Sequence, residues 1–268
     1  MPVATPPFHD VKVRYGREGW FPMPFTFGTA EITKMRESIE VISAQNRPEV
    51  VFEENSTAVR AVHGCHDYDA VCHRLVRLPA LLDFAERLLG GPVYVYQFKV
   101  NMKQAREGSA WPWHQDWAFW HKEDGMASPE AVNIAIFLDD VTEENGPLQV
   151  IPGTHHLGLI DPEGDKREPT HDWRQHVSAA LEYTVPDDFA ASLAGTHGTQ
   201  RFIGVAGTAV AFHPALVHSS SNNLSEHRRR MLLITYNRVS NAPANPARPE
   251  FLVSRDSTPL VRVEGDHL

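Results

Sequence analysis

Two short stretches set an imidazole two residues ahead of a carboxylate: His114-Gln115-Asp116 and His121-Lys122-Glu123. On an extended strand residues i and i+2 share a face, so either pair could grip one ion. One more imidazole would complete a two-His-one-carboxylate facial triad, which leaves three metal positions open to substrate and dioxygen. His213 and His218 are the downstream possibilities. His218 sits in Leu216-Val217-His218-Ser219-Ser220, a strand followed by a polar turn, whereas His213 precedes Pro214 at a corner. The first pair lies in an aromatic run, Trp111, Trp113, Trp117, Phe119 and Trp120, suited to walling off a dry pocket. The second sits beside Asp124-Gly125 and reads as a piece of a lid. A lone His-x-Asp is a weak signal.

Arg228-Arg229-Arg230, entering the apolar strand Met231 to Tyr236, adds to it. Arg228 and Arg230 read as a solvated charge run. Alternation sends Arg229 to the opposite face, shared with Met231, Leu233 and Thr235. If that face points inward, Arg229 is a buried guanidinium that needs an anionic partner. A dicarboxylate cosubstrate would supply one bidentately. The spacing from His218 to Arg229 suits adjacent strands opening on one cavity.

The elements that must position these residues change character along the chain. Residues 1–28 read as an irregular, proline-punctuated lead-in. Thr29 is placed to cap a helix on which Ile32, Met35, Ile39 and Ile42 form one apolar face. Val50 to Val62 looks extended; Tyr68 to Leu78 and Ala80 to Leu89 look helical, broken at Pro79. From Gly90 onward short β-branched and aromatic runs take over: Val93 to Met102, Ala131 to Leu138, Leu148 to Ile151, Arg201 to Val205, Thr208 to His213, Val217 to Ser220 and Arg229 to Val239. Many short strands favour a sandwich or barrel. Asn145-Gly146-Pro147 marks a turn between two of them. The polar stretch 158–200, with a helix at Pro186 to Leu193, reads as an insertion over one mouth of the barrel. The tail from Asn241 to Pro249 is expected to run extended over the surface. The division is therefore one domain, 1–268: an N-terminal lead-in and helices over residues 1–90, a β core 91–240 carrying the insertion, and a C-terminal extension 241–268 over the site.

Composition bounds the function. The chain has 268 residues, 42% hydrophobic and 22% charged, and a formal net charge of -9. That charge disfavours a protein that tracks phosphate backbones, and no apolar run reaches membrane-spanning length. Cys65 and Cys72 form no Cys-x-x-Cys, so a cytoplasmic setting fits better than a disulfide framework. Of fifteen His, His63, His66 and His73 are expected to flank helices. His155, His156, His171, His176 and His197 are assigned to the insertion and its approach, and His121 and His213 to the neighbourhood of the cavity.

In combination these residues resemble the phytanoyl-CoA dioxygenase-like (PhyH) branch of the iron(II)/2-oxoglutarate oxygenases, over most of the chain from Val50 onward. The pattern there is His-x-Asp, a distal His, and an Arg eleven residues further on. The fold it implies is mainly β, a double-stranded β-helix (jelly roll, cupin-like) with flanking helices. The resemblance implies iron(II) on His114, Asp116 and His218, and 2-oxoglutarate with its far carboxylate on Arg229 and further contacts from Asn101 and Ser220. Asp116 disfavours halogenation, because related halogenases carry a small residue there. The chain is similar to ectoine hydroxylases through Trp113-His114, Trp120-His121, Glu123-Asp124-Gly125-Met126 and Asn145-Gly146-Pro147-Leu148. It resembles free-amino-acid hydroxylases of the leucine 5-hydroxylase type over more ground: Gln97-Phe98-Lys99, Asn101, Lys103, Ile234-Thr235-Tyr236-Asn237, Asn241-Ala242-Pro243, Arg248-Pro249-Glu250 and Arg255-Asp256. Met231 and Leu233 stand where the ectoine enzymes would have Asn and Phe. The expected activity is hydroxylation of an unactivated C–H of a small amino acid or its derivative, releasing succinate and carbon dioxide. Arg248, Lys99, Gln97 and Trp120 are the expected substrate residues. An ectoine-type or natural-product tailoring oxygenase, and a jelly-roll binding protein without turnover, are the alternatives.

Overall fold

The computed structural model describes residues 6–161 and 172–268. Its frame is set by its two longest strands, β4 (Val93–Lys103) and β11 (Arg229–Arg238), which pair antiparallel from Arg229 opposite Lys103 to Arg238 opposite Val93. Around them β1 (Trp20–Thr26), β2 (Val50–Phe52), β3 (Val59–His63), β6 (Ala131–Phe137) and β9 (Thr208–Phe212) complete a seven-stranded sheet in the order β1-β9-β6-β11-β4-β3-β2. A four-stranded sheet contains β5 (Trp111–His114), β7 (Leu148–Val150), β8 (Gln200–Arg201) and β10 (His218–Ser220), ordered β5-β10-β7-β8.

Strand parity decides what each face meets. Leu232, Ile234 and Tyr236 pack among the helices: α2 (Thr29–Ser43) contributes Ile32, Met35, Ile39 and Ile42, and α4 (Pro79–Leu89) contributes Leu81, Leu82, Phe84 and Ala85. Met231 and Leu233 turn the other way, joining Ala135, Phe137, Val210 and Phe212 against Leu148 and Val150 of the smaller sheet. The sandwich expected from strand spacing is thus present. α2 starts one residue earlier than expected for a Thr29 cap: Gly28 is the cap, and its N–H donates to Glu31 Oε2 at 2.9 Å. Pro79 opens α4 rather than merely separating two helices, as its fixed φ and missing N–H allow.

Several expectations need correction. The lead-in 1–28 is not irregular. α1 (Phe8–Glu18) buries Val11 and Tyr15, and β1 follows on the sheet edge, where Pro22 and Pro24 cost no ladder bond on the outer side. The proline count hid an edge strand. The stretch Val50 to Val62 is a hairpin of β2 and β3 rather than one extended run. His121-Lys122-Glu123 lies within helix α5 (Asp116–Asp124), ended by Gly125, and is neither strand nor lid turn. Arg230 is not solvated: it is 2% exposed and paired with Asp139 at 2.7 Å and with Glu40 of α2 at 2.7 Å. The tail does not wander over the surface either. Asn241, Arg248, Leu252 and Val253 are buried, and the backbone is held by Ser254 N–H to Tyr96 O and Leu260 N–H to Val93 O. The predicted insertion 158–200, including His171, lies partly outside the described residues; its helix α6 spans Asp187–His197. Among the described residues, no helix is long and apolar enough to cross a membrane.

Candidate metal and cosubstrate site

β5 and β10 pair so that His114 and His218 are direct cross-strand partners. Asp116 is two residues past His114, but not on the strand: it opens α5. The i, i+2 relation survives because Gln115 between them stays extended (φ -117°, ψ 127°). Gln115 points elsewhere. Its amide donates to Ala215 O at 2.6 Å and Gly158 O at 2.8 Å and accepts from Ile160 N–H, pinning the strand-to-helix corner.

The donor atoms of His114, Asp116 and His218 lie within 4.8 Å of one another. In each histidine Nδ1 meets a backbone carbonyl, Pro112 O at 2.7 Å and Leu216 O at 2.8 Å. These carbonyls can only accept, so both Nδ1 atoms carry the proton and both Nε2 atoms present lone pairs. The Nε2 atoms stand 4.0 and 3.7 Å from the Asp116 carboxylate oxygens. Burial and the neighbouring His218 push the His114 pKa down to about 3, and burial lowers that of His218. Both are therefore neutral, as metal ligation requires. For Asp116, burial alone would raise the pKa, yet the charge and hydrogen bond of Lys99 oppose it and favour the ionised group. Asn133 Nδ2 donates to Asp116 Oδ2 at 2.8 Å while Asn133 Oδ1 accepts from the Thr235 hydroxyl, and Lys99 Nζ lies 3.2 Å from Oδ1. The carboxylate is oriented from behind.

These groups open on a cavity that also takes in Gln97, Asn101, Trp120, Ser220, Arg229 and Arg248. All ten expected site residues therefore meet in one place. The β4–β11 register explains much of it: Asn101, Lys99 and Gln97 lie opposite Met231, Leu233 and Thr235. His218 and Arg229 do not sit on adjacent strands as expected; β10 and β11 belong to different sheets, facing across the cavity. Arg229 is buried, bonded through Nη2 to Gly146 O, and its Nε has no partner among the described residues. Burial pulls its pKa down to about 10. Asn101 Oδ1 is likewise buried and unpartnered. A buried cation beside a His-Asp-His set is what a metal-chelating, anionic cosubstrate would satisfy. Arg248 is engaged by Asp124, which accepts from Nε at 3.0 Å and from the Tyr96 hydroxyl at 2.6 Å.

The phytanoyl-CoA dioxygenase (PhyH) family model matches residues 15–231. The chain belongs to this family. An L-proline trans-4-hydroxylase of Streptomyces griseoviridis is 68% identical over 99% of both chains. An ectoine dioxygenase of Bordetella parapertussis is 33% identical over 92% of this chain and 82% of its own. The crystal structure of EctD from S. alaskensis with 2-oxoglutarate and 5-hydroxyectoine superimposes with a TM-score of 0.80 at 27% identity, covering 98% of this chain and 88% of that one. The fold is accordingly the double-stranded β-helix. This PhyH protein is an iron(II)- and 2-oxoglutarate-dependent dioxygenase, and the His114-Asp116-His218 set fits the metal. When bound, iron(II) and 2-oxoglutarate supply with dioxygen the oxidising power for C–H hydroxylation, with succinate and carbon dioxide as coproducts.

Two histidines expected near the cavity stop short of its wall. His121 is exposed, bonded to Met126 O, and His213 packs toward Tyr15 and His155; neither lines the cavity. His63 and His176, by contrast, do. The parity of His63 opposite Lys99 could have found the former, but no local signal marks the latter. Trp111, Phe119, Leu181 and Leu252 complete an apolar wall that excludes water from the oxidising centre.

Proposed function

We propose that this enzyme hydroxylates free L-proline at C4, on the face trans to the carboxylate, in the cytoplasm. One observation carries the reading: 68% identity over 99% of both chains to an enzyme with that activity, about twice the identity to an ectoine dioxygenase. In this reading His114, Asp116 and His218 hold iron(II). Arg229 pairs with the far carboxylate of 2-oxoglutarate, with Asn101 and Ser220 as further hydrogen-bond partners. Arg248 offers its guanidinium to the proline carboxylate, Gln97 and Lys99 line the approach, and Trp120 walls the ring. Two free, buried thiols, Cys65 and Cys72, support a reducing compartment.

The test is aerobic incubation with iron(II), 2-oxoglutarate and each of the twenty amino acids or ectoine, followed by succinate quantification and chiral analysis of the product. Succinate release coupled to trans-4-hydroxy-L-proline is expected. Turnover of ectoine alone, or a different hydroxyproline isomer, would overturn the assignment.

A further inference from the structure

Four residues lining the cavity each carry a buried polar atom without a hydrogen-bond partner among the described residues: Asn101 Oδ1, Arg229 Nε, His63 Nε2 and His176 Nδ1. Native proteins leave few such atoms, so each calls for a ligand group. Arg229 Nε is accounted for by the acceptor oxygens of the cosubstrate, whereas Asn101 Oδ1 needs a donor. His63 and His176 both feel the charge of Arg248, which puts them toward the other end.

His176 differs from His63 in what stands behind it. Its Nε2 lies 3.1 Å from Glu182 Oε2 and 4.0 Å from Glu123 Oε1, and Glu123 also accepts from the Tyr183 hydroxyl. A carboxylate facing Nε2 fixes the proton there and leaves a lone pair on Nδ1. Phe119 and Tyr183 pack against the ring and hold its orientation. Burial and Arg248 lower the pKa of His176, favouring the neutral ring. Two carboxylates close behind a neutral imidazole supply the negative field that a desolvated ammonium requires.

We propose that His176 Nδ1 accepts a hydrogen bond from the protonated amino group of the substrate, backed by Glu182 and Glu123, while Arg248 takes the substrate carboxylate. The inference rests on the amino-acid reading above. It makes His176 a specificity residue: it selects zwitterions over plain carboxylic acids.

The experiment is an anaerobic titration of the iron(II)/2-oxoglutarate enzyme with L-proline and with cyclopentanecarboxylate, which keeps ring and carboxylate but lacks the nitrogen. Binding is read from the shift of the visible charge-transfer band. Wild type is expected to prefer proline at least tenfold. His176→Phe is expected to bind the two within twofold, at unchanged 2-oxoglutarate affinity, which also shows that the variant is folded. His176→Asn keeps an acceptor near Nδ1 and is expected to retain a several-fold preference. A tenfold preference surviving in His176→Phe, or equal weakening of both ligands, overturns the proposal. Should another amino acid replace proline in product analysis, the proline assignment fails alone, and the titration is run with that amino acid and its deamino analogue. No preference in wild type for either pair would overturn the His176 proposal too.

Discussion

His114 and His218 face each other across the β5–β10 ladder, with ring centroids 4.1 Å apart. The metal site is therefore built on main-chain hydrogen bonds, and only its carboxylate depends on side-chain support. That support comes from Lys99 and from Asn133, which is fully buried and held by Thr235. Groups orienting a metal ligand typically contribute 10–100-fold in affinity. Asn133→Ala is expected to weaken iron(II) binding by roughly that factor although all three ligands remain, and to lower stability by about 1–3 kcal/mol through the stranded Thr235 hydroxyl. Iron affinity measured anaerobically and equal to wild type would refute this.

Gly146 connects the turn to the cosubstrate end. Its φ is +78°, and a Cβ there would lie 2.6 Å from Ser221 O and 2.7 Å from Lys103 Cδ. Its carbonyl accepts from Arg229. Gly146→Ala should therefore displace Arg229, raising the KM for 2-oxoglutarate several-fold and lowering stability by about 1–3 kcal/mol. Arg229→Ala is expected to raise that KM further, on the order of 10–100-fold, as for a lost charge-assisted pair. The check is steady-state kinetics in 2-oxoglutarate with thermal unfolding alongside; an unchanged KM in both variants would contradict the placement.

Arg248 and Asp124 form a pair in which neither side chain is more than 6% exposed. Burial alone would lower the Arg248 pKa, but Asp124 outweighs it, so the guanidinium stays charged. Removing one partner of such a pair typically costs about 3–5 kcal/mol. Arg248→Ala and Asp124→Asn should each be strongly destabilised, and the double variant less so than the sum. Additive losses in urea unfolding would show the two to be uncoupled.

His63, His66 and His213 are buried with their pKa values pushed down to about 3 by desolvation, with neighbouring positive charge and other histidines adding to it. Each binds its proton more readily unfolded, at about pH 6.5. Stability is therefore full above pH 6.5 and lost as pH falls from there toward 3. Three such groups give a slope of up to about 4 kcal/mol per pH unit. Urea midpoints between pH 7 and pH 5 should fall accordingly; a flat profile would mean these rings are solvated.

Much of the site is legible in the sequence because its signals are local. His114-Gln115-Asp116 works through an i, i+2 relation that only needs Gln115 to stay extended, and the alternation Arg229-Met231-Leu233 holds along a strand whatever it packs against. Arg230 escapes such reading for the same reason. Parity sends it to the helix side, but only the arrival of Glu40 and Asp139 there turns an apparently solvated charge into a buried pair. β1 is hidden because prolines are tolerated on an edge, and no sequence window shows which strand is an edge.

The amino-acid order by itself determined the alternating strands, the facial pair and the buried cation, since each depends on neighbours a few residues apart. Only the tertiary structure decided which histidines share the cavity. His176 reaches it from a segment with no pattern of its own, and His218 meets His114 and Arg229 from 104 and 11 residues away. Such contacts depend on how two sheets face each other, and that is fixed by the packing of the whole core.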